Sequence, residues 1–171
     1  MATTFQFEHE FPEISMELFE KYLNHPVLNK KLSSMPGFKS RDMLEEQKLP
    51  GGETLWKFKV VAGGDVPASM QKLLPDNLLT WMETSRFVPN DHAIHWQIEP
   101  LIAKGKFEGK GSWALSKKGK GTKRVIDGEI SVKIPFVGKV IESFIVEQLR
   151  RSYEVEPGIQ NGFYREMKKT E

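Results

Sequence analysis

The sequence predicts an α+β domain in which a curved, seven-stranded antiparallel sheet wraps around a long C-terminal helix, with two short helices after the first strand. Residues 40–134 hold three successive pairs of alternating runs, each pair joined by a turn rich in Gly, Pro, Asn or Lys. After Pro135 the apolar period lengthens from two residues to about 3.6, and Val137, Val140, Ile141, Phe144, Ile145 and Leu149 form one stripe. Six strands with one buried face are covered by a single helix only if the sheet curls around it.

At 171 residues the chain has the size of one domain, read as residues 1–171, and a domain of that size buries roughly 70% of its unfolded surface. The net charge is only +2 although 28% of residues are charged, so neither a nucleic-acid binder nor an acidic tail is expected. The absence of cysteine removes disulfides, thiolate catalysis and Cys-ligated zinc. No basic stretch precedes an apolar run at the N-terminus, and no run of about 18 apolar residues occurs. The chain is therefore read as cytoplasmic.

In order, Phe5, Phe7, His9 and Phe11 alternate with Gln6, Glu8 and Glu10, which predicts a half-buried first strand. Past Pro12, the spacing of Ile14, Leu18 and Tyr22, widened by Phe19 and Leu23, predicts a helix that ends at Asn24-His25-Pro26. Pro26 opens a second short helix through Val27, Leu28 and Leu32, which Met35-Pro36-Gly37 stops. Ser40 to Leu49 and Glu53 to Ala62 read as a hairpin across Pro50-Gly51-Gly52, with Trp56, Phe58, Val60 and Ala62 inward; its first arm has a weak pattern. Between Gly63-Gly64 and Pro75, Val66, Met70 and Leu73 or Leu74 have helical spacing. A second hairpin joins Leu79–Val88 to Ala93–Glu99, with Ile94, Trp96 and Ile98 on one face.

The third hairpin is the clearest. Phe107, Gly109, Gly111, Trp113 and Leu115 share odd parity, and Ile126, Gly128, Ile130, Val132 and Ile134 share even parity. Pairing odd with even across Lys118-Gly119-Lys120-Gly121 puts both sets on one face. Glycines at 109, 111 and 128 let the sheet bend or leave room above it. The long helix is predicted from Val137 to Glu154, on the order of 27 Å, with a kink or break at Pro157-Gly158 and a last amphipathic stretch through Ile159, Phe163 and Met167.

This order resembles the START-like, helix-grip (SRPBCC-type) superfamily over nearly the whole chain. The C-terminal third is similar to an uncharacterised bacterial family of START-like domains, through Asp127-Gly128-Glu129-Ile130, Val132-Lys133-Ile134-Pro135, Val137-Gly138 and Ile141-Glu142; a second likeness is Val66-Pro67-Ala68 followed by Trp81 to Arg86. These motifs are structural and name no chemistry. The resemblance implies a groove between sheet and helix that takes lipids, sterols or other apolar molecules, with activity varying from member to member.

The expected ligand-binding residues are Phe7, Trp56, Phe58, Trp81, Trp96, Phe107, Gly111, Trp113 and Ile130 from the sheet, and Val140, Ile141 and Phe144 from the helix. The alternative is that these side chains fill a core. His9 and Glu83 interrupt inward-facing runs, with Ser85 beside Glu83, so they pair with each other, with water or with a ligand's polar end. Alternatively a bulge turns Glu83 outward, or His9 bonds a backbone carbonyl. Val66, Met70 and Leu73 form either a lid hinged at Gly63-Gly64 or a plug at one end of the sheet. Eight basic residues lie between Lys104 and Arg124 against one acidic residue, Glu108. Their tip, Lys117, Lys118 and Lys120, is either a solvated hairpin or a transient contact for an anionic membrane surface.

His92 and His95 fall across a turn and strand with no third ligand, so no metal is expected, and no cofactor motif occurs. The function expected is reversible, non-covalent binding, transport or sensing of a hydrophobic small molecule or lipid. The rivals are a protein interaction module with a filled core and, third, a polyketide cyclase-like enzyme using His9 or Glu83. The sequence leaves the oligomeric state open.

Overall fold

Each change of apolar period in the sequence marks an element boundary in the computed structural model, which describes residues 2–62, 66–72, 78–102 and 104–171. Strand β1 (Thr3–Phe11) leads to helices α1 (Met16–Lys21) and α2 (Pro26–Leu32), then to strands β2 (Phe38–Lys48) and β3 (Thr54–Ala62). One helical turn, α3 (Ala68–Gln71), precedes β4 (Thr80–Val88), β5 (Ala93–Pro100), β6 (Phe107–Lys118) and β7 (Gly121–Val132), and the chain closes in helix α4 (Gly138–Lys168). The short helices begin where their caps dictate. The Ser15 hydroxyl accepts from the Leu18 N–H at 3.1 Å, and His25 Nδ1 accepts from the Val27 N–H at 3.2 Å ahead of the fixed φ of Pro26.

The seven strands form one antiparallel sheet in the order β1-β7-β6-β5-β4-β3-β2. The three hairpins occur where expected, and the third pairs Phe107 with Val132, Gly111 with Gly128 and Trp113 with Ile126. Odd does face even. Strand β2 slips in register twice against β3, between Phe38 and Ser40 and between Met43 and Glu45, which is why the alternation of that arm is weak in the sequence. Because β1 and β2 lie at opposite edges, the chain must cross the concave side between them. Helices α1 and α2 make that crossing and pack against α4.

Helix α4 departs from the sequence expectation in two ways. It runs unbroken for 31 residues, on the order of 46 Å, straight through Pro157. Its buried face is also rotated from the apolar stripe: Ile141, Glu142, Ile145, Gln148, Ser152, Glu156, Gln160, Phe163 and Tyr164 are buried, whereas Val140 is 51% exposed. Val140 therefore does not line the interior, and Phe144 is only half-buried. The stripe and the buried face diverge because the inward positions past Ile145 are largely polar.

Two apolar cores result. One joins the sheet to the first turns of α4 through Trp56, Phe58, Val60, Trp81, Ile98, Phe107, Ile130, Ile141 and Ile145. The other joins β1, α1 and α2 to the end of α4 through Phe11, Ile14, Phe19, Leu28, Met35, Phe163 and Tyr164. Met70 on α3 is buried in the first core with Val66 packed against it; Leu73 and the Gly63-Gly64 hinge lie outside the described residues.

Glu142 fixes the start of α4 on the sheet. Its carboxylate accepts from the Thr3 hydroxyl at 2.6 Å, from the Val132 N–H at 2.9 Å and from Lys139 Nζ at 2.9 Å. Burial alone raises its pKa, but these three donors outweigh it and hold the carboxyl below its ordinary value. The helix approaches β7 so closely here that a Cβ on Gly138 would lie 2.1 Å from the Val132 carbonyl oxygen. In an open helix, glycine to alanine adds about 1 kcal/mol of stability. At this site the sign is expected to reverse: Gly138→Ala should cost about 2 kcal/mol through backbone displacement, read as a lower denaturant midpoint, and a gain in stability would refute the close approach.

Candidate functional site

Between the two cores lies a polar layer around a cavity of about 130 Å³. Its walls come from the sheet (Phe38, Arg41, Trp81, Glu83, Ser85, Trp96, Trp113, Arg124, Ile130), from the crossing segment (Phe19, Leu28, Leu32, Met35) and from α4 (Ile145, Leu149, Ser152, Tyr153, Glu156, Gln160). Two ion pairs stand in these walls. Arg41 Nη2 donates to Glu83 Oε1 at 2.9 Å while its guanidinium lies 3.7 Å from the centre of the Phe58 ring, and the Ser85 hydroxyl donates to the same Glu83 oxygen at 3.1 Å. Arg124, only 1% exposed, donates from Nη1 to Glu156 at 3.0 Å and from Nη2 to His9 Nδ1 at 2.6 Å.

The state of His9 follows from this geometry. A guanidinium only donates, so Nδ1 must present a lone pair and the ring proton sits on Nε2. The ring also makes a hydrogen bond with the Tyr153 backbone. That carbonyl is available because Pro157, four residues on, has no N–H to give it. The proline is thus built into the site instead of ending the helix. Burial first, and the adjacent Arg124 charge second, lower the His9 pKa to about 4, with Glu156 and the Tyr153 bond opposing in part. His9 is uncharged at neutral pH.

Tyr153 stands between the two pairs. Its ring centre lies 5.1 Å from that of Phe7 and 6.0 Å from that of His9, and its hydroxyl makes no hydrogen bond among the described residues. Burial, then Glu156, raises its pKa against the opposing Arg124, and Glu83 and Arg41 act on it from the other pair. Several further polar atoms in or beside the layer are buried without a partner, namely Trp81 Nε1, Trp96 Nε1, Arg124 Nε, Gln148 Oε1 and Gln160 Oε1.

Of the residues singled out in the sequence, Trp81, Glu83, Trp96, Trp113 and Ile130 line the cavity. Trp56, Phe58, Phe107 and Ile141 are buried in the first core without lining it. Strand β4 pairs without slippage on both sides, so no bulge turns Glu83 outward. The space above the glycines is not empty: a Cβ on Gly111 would meet the Trp96 ring at 2.4 Å, and one on Gly128 the Phe5 ring at 2.4 Å. These glycines seat the stacked Phe5 and Trp96 rings. Arg124 belongs by charge with the basic hairpin, yet it shares the inward parity of Ile126 and Ile130. At the tip, Lys117, Lys118 and Lys120 are exposed, and Lys118 is paired with Glu10. Among the described residues no group of three or more His, Asp or Glu is placed to hold a metal ion, and no helix is long and apolar enough to cross a membrane.

Residues 6–160 match the family described as protein of unknown function (DUF2505), and the chain belongs to that family. No curated protein matches the sequence. The fold is START-like, of the helix-grip type, as three solved structures make plain. TTHA0849 from Thermus thermophilus is 14% identical with a TM-score of 0.65, over 96% of this chain and 99% of that one. The Zhui aromatase/cyclase from a Streptomyces species is 11% identical with a TM-score of 0.65, over 96% and 94%. A point mutant of Thalictrum norcoclaurine synthase, in complex with a transition-state analogue, is 18% identical with a TM-score of 0.58, over 98% of both chains.

Two predictions test the polar layer. Arg124→Met strands the buried Glu156 and should cost about 3–5 kcal/mol, while Arg124→Met combined with Glu156→Leu should recover most of that loss in denaturant unfolding; a double variant no better than the single one would deny the pairing. The second concerns pH. The folded pKa of His9 lies below the ordinary 6.5, so the unfolded chain binds the extra proton first as pH falls. The stability contributed is full above about pH 6.5 and is lost toward about pH 4, on the order of 1–2 kcal/mol after solvent screening. His9→Gln, which keeps an acceptor for Arg124, should show a shallower fall over that window, and equal slopes would place the titration elsewhere.

Proposed function

We propose that the protein binds a hydrophobic small molecule, reversibly and without covalent chemistry, in the cavity between α4 and the sheet, as a carrier or sensor. The observation that carries this reading is a cavity held open between two filled apolar cores, lined by aromatic side chains and edged by buried polar atoms that lack partners. Such a lining matches small-molecule sites, which are largely apolar with a few fixed polar groups.

A catalytic use of the same cavity is the second reading. It is favoured by the ionisable groups that converge there, Glu83, Tyr153 and Glu156, and by the aromatase/cyclase and the norcoclaurine synthase among the similar structures. Conversion of a bound compound into a new one under native mass spectrometry would decide for it.

Native mass spectrometry of the protein taken directly from its host, followed by solvent extraction, tests the binding reading. A stoichiometric apolar adduct is expected. Leu149→Trp places an indole in the cavity from a half-buried position and should abolish the adduct while changing stability by less than about 2 kcal/mol. Bare wild-type protein that also fails to take up small apolar probes would overturn the reading.

A further inference from the structure

Size, one open donor and charge balance together narrow the occupant, if the binding reading holds, on which this inference rests. The cavity of about 130 Å³ is close to an engineered, aromatic-binding void of about 150 Å³ that holds a single benzene ring, and a site of that volume is too small for a whole lipid or sterol. The unpartnered atoms Trp81 Nε1, Trp96 Nε1, Arg124 Nε and Gln160 Oε1 are sealed within the walls and present no surface to a guest. The Tyr153 hydroxyl is not among these sealed atoms, its side chain lines the cavity, and it has no hydrogen-bond partner among the described residues. An oxygen or nitrogen acceptor on the guest is what that hydroxyl lacks.

Charge sets the remaining condition. Two guanidinium groups, Arg41 and Arg124, are matched by two carboxylates, Glu83 and Glu156. His9 is neutral, so the layer carries no net charge to be balanced by an ion. Bringing a carboxylate or an ammonium into it adds an uncompensated buried charge, a cost of several kcal/mol. A neutral dipole incurs no such cost.

We propose that the cavity selects a neutral, one-ring compound bearing a carbonyl or similar acceptor, and that the Tyr153 hydroxyl, standing between the two ion pairs, is its anchoring donor. The Tyr153 hydroxyl is in no ion pair and has no hydrogen-bond partner among the described residues, and the residue is only half-buried. The aromatic rings that share the cavity's lining, Phe19, Trp81, Trp96 and Trp113 among them, supply a face for the guest's ring.

Three probes of nearly equal shape test this by calorimetric titration: acetophenone, isopropylbenzene and benzoate. Acetophenone is expected to bind about tenfold more tightly than isopropylbenzene, and benzoate more weakly than either. Tyr153→Phe removes only the hydroxyl, and it should bring acetophenone down to the level of isopropylbenzene while leaving isopropylbenzene unchanged. Equal binding of acetophenone and isopropylbenzene, or tightest binding of benzoate, overturns the selection while leaving the cavity as a binding site. Loss of both neutral probes equally in Tyr153→Phe overturns the anchoring role. If no probe binds the wild type, the binding reading fails and takes this inference with it.

Discussion

A buried guanidinium organises this protein. Arg124 points inward from β7 at 1% exposure, and a cation so placed needs partners that only the folded chain supplies. Glu156 reaches it from α4 and His9 from β1, so the rotation of the long helix, the edge strand and β7 are tied at one point. The tie extends further. His9 accepts from Arg124 only as the neutral ring, its proton is then directed at the Tyr153 carbonyl, and that carbonyl is available because residue 157 is proline. A helix interior ordinarily loses about 3 kcal/mol to proline; here part of that loss is offset by the bond it frees.

The fold was legible in the sequence because its signals are periodic. Parity alone placed Phe107 to Leu115 and Ile126 to Val132 on one face, and the long terminal stripe identified the gripping helix. The site was legible only in part. His9, Trp81, Glu83, Trp96 and Trp113 stand out as members of inward runs. Arg124 has the same parity as Ile126, but its charge made it read as part of a solvated hairpin, since an arginine is seldom fully buried. Tyr153, Glu156 and Gln160 continue the spacing of Ile145 and Gln148, yet a polar inward face gives no hydrophobic signal, and the proline hid its continuity. Arg41 was out of reach for a different reason: two register shifts in β2 erase the alternation that would have shown its direction.

Membership of the family and likeness to the START-like structures account for the sheet, the crossing helices and the grip of α4, and for no more than these, because one fold of this kind serves many chemistries. Within that fold, the polar layer sets the character of this chain's interior. Apolar side chains at 148, 152, 156 and 160 would merge the two cores into one and close the cavity. Gln148, Ser152, Glu156 and Gln160 are buried on the helix between them, and among the described residues the cores meet only through half-buried Leu23, Phe38 and Trp113. Breaking either ion pair to pack the space dry would strand a charge, so the void is maintained by electrostatics more than by the shape of its apolar walls.

Selectivity follows from the same balance. A one-ring guest that buries on the order of 100–150 Å² of apolar surface gains about 3 kcal/mol, and it gains nearly the same whatever its substituent. Apolar contact therefore holds a guest without choosing among guests. A donor left unpartnered costs about 1–3 kcal/mol and an unbalanced buried charge costs more, so in the proposed reading the discriminating differences lie with Tyr153 and the two ion pairs. On the proposed reading the apolar cores set how large an occupant is admitted, and the layer between them decides which atoms it must carry.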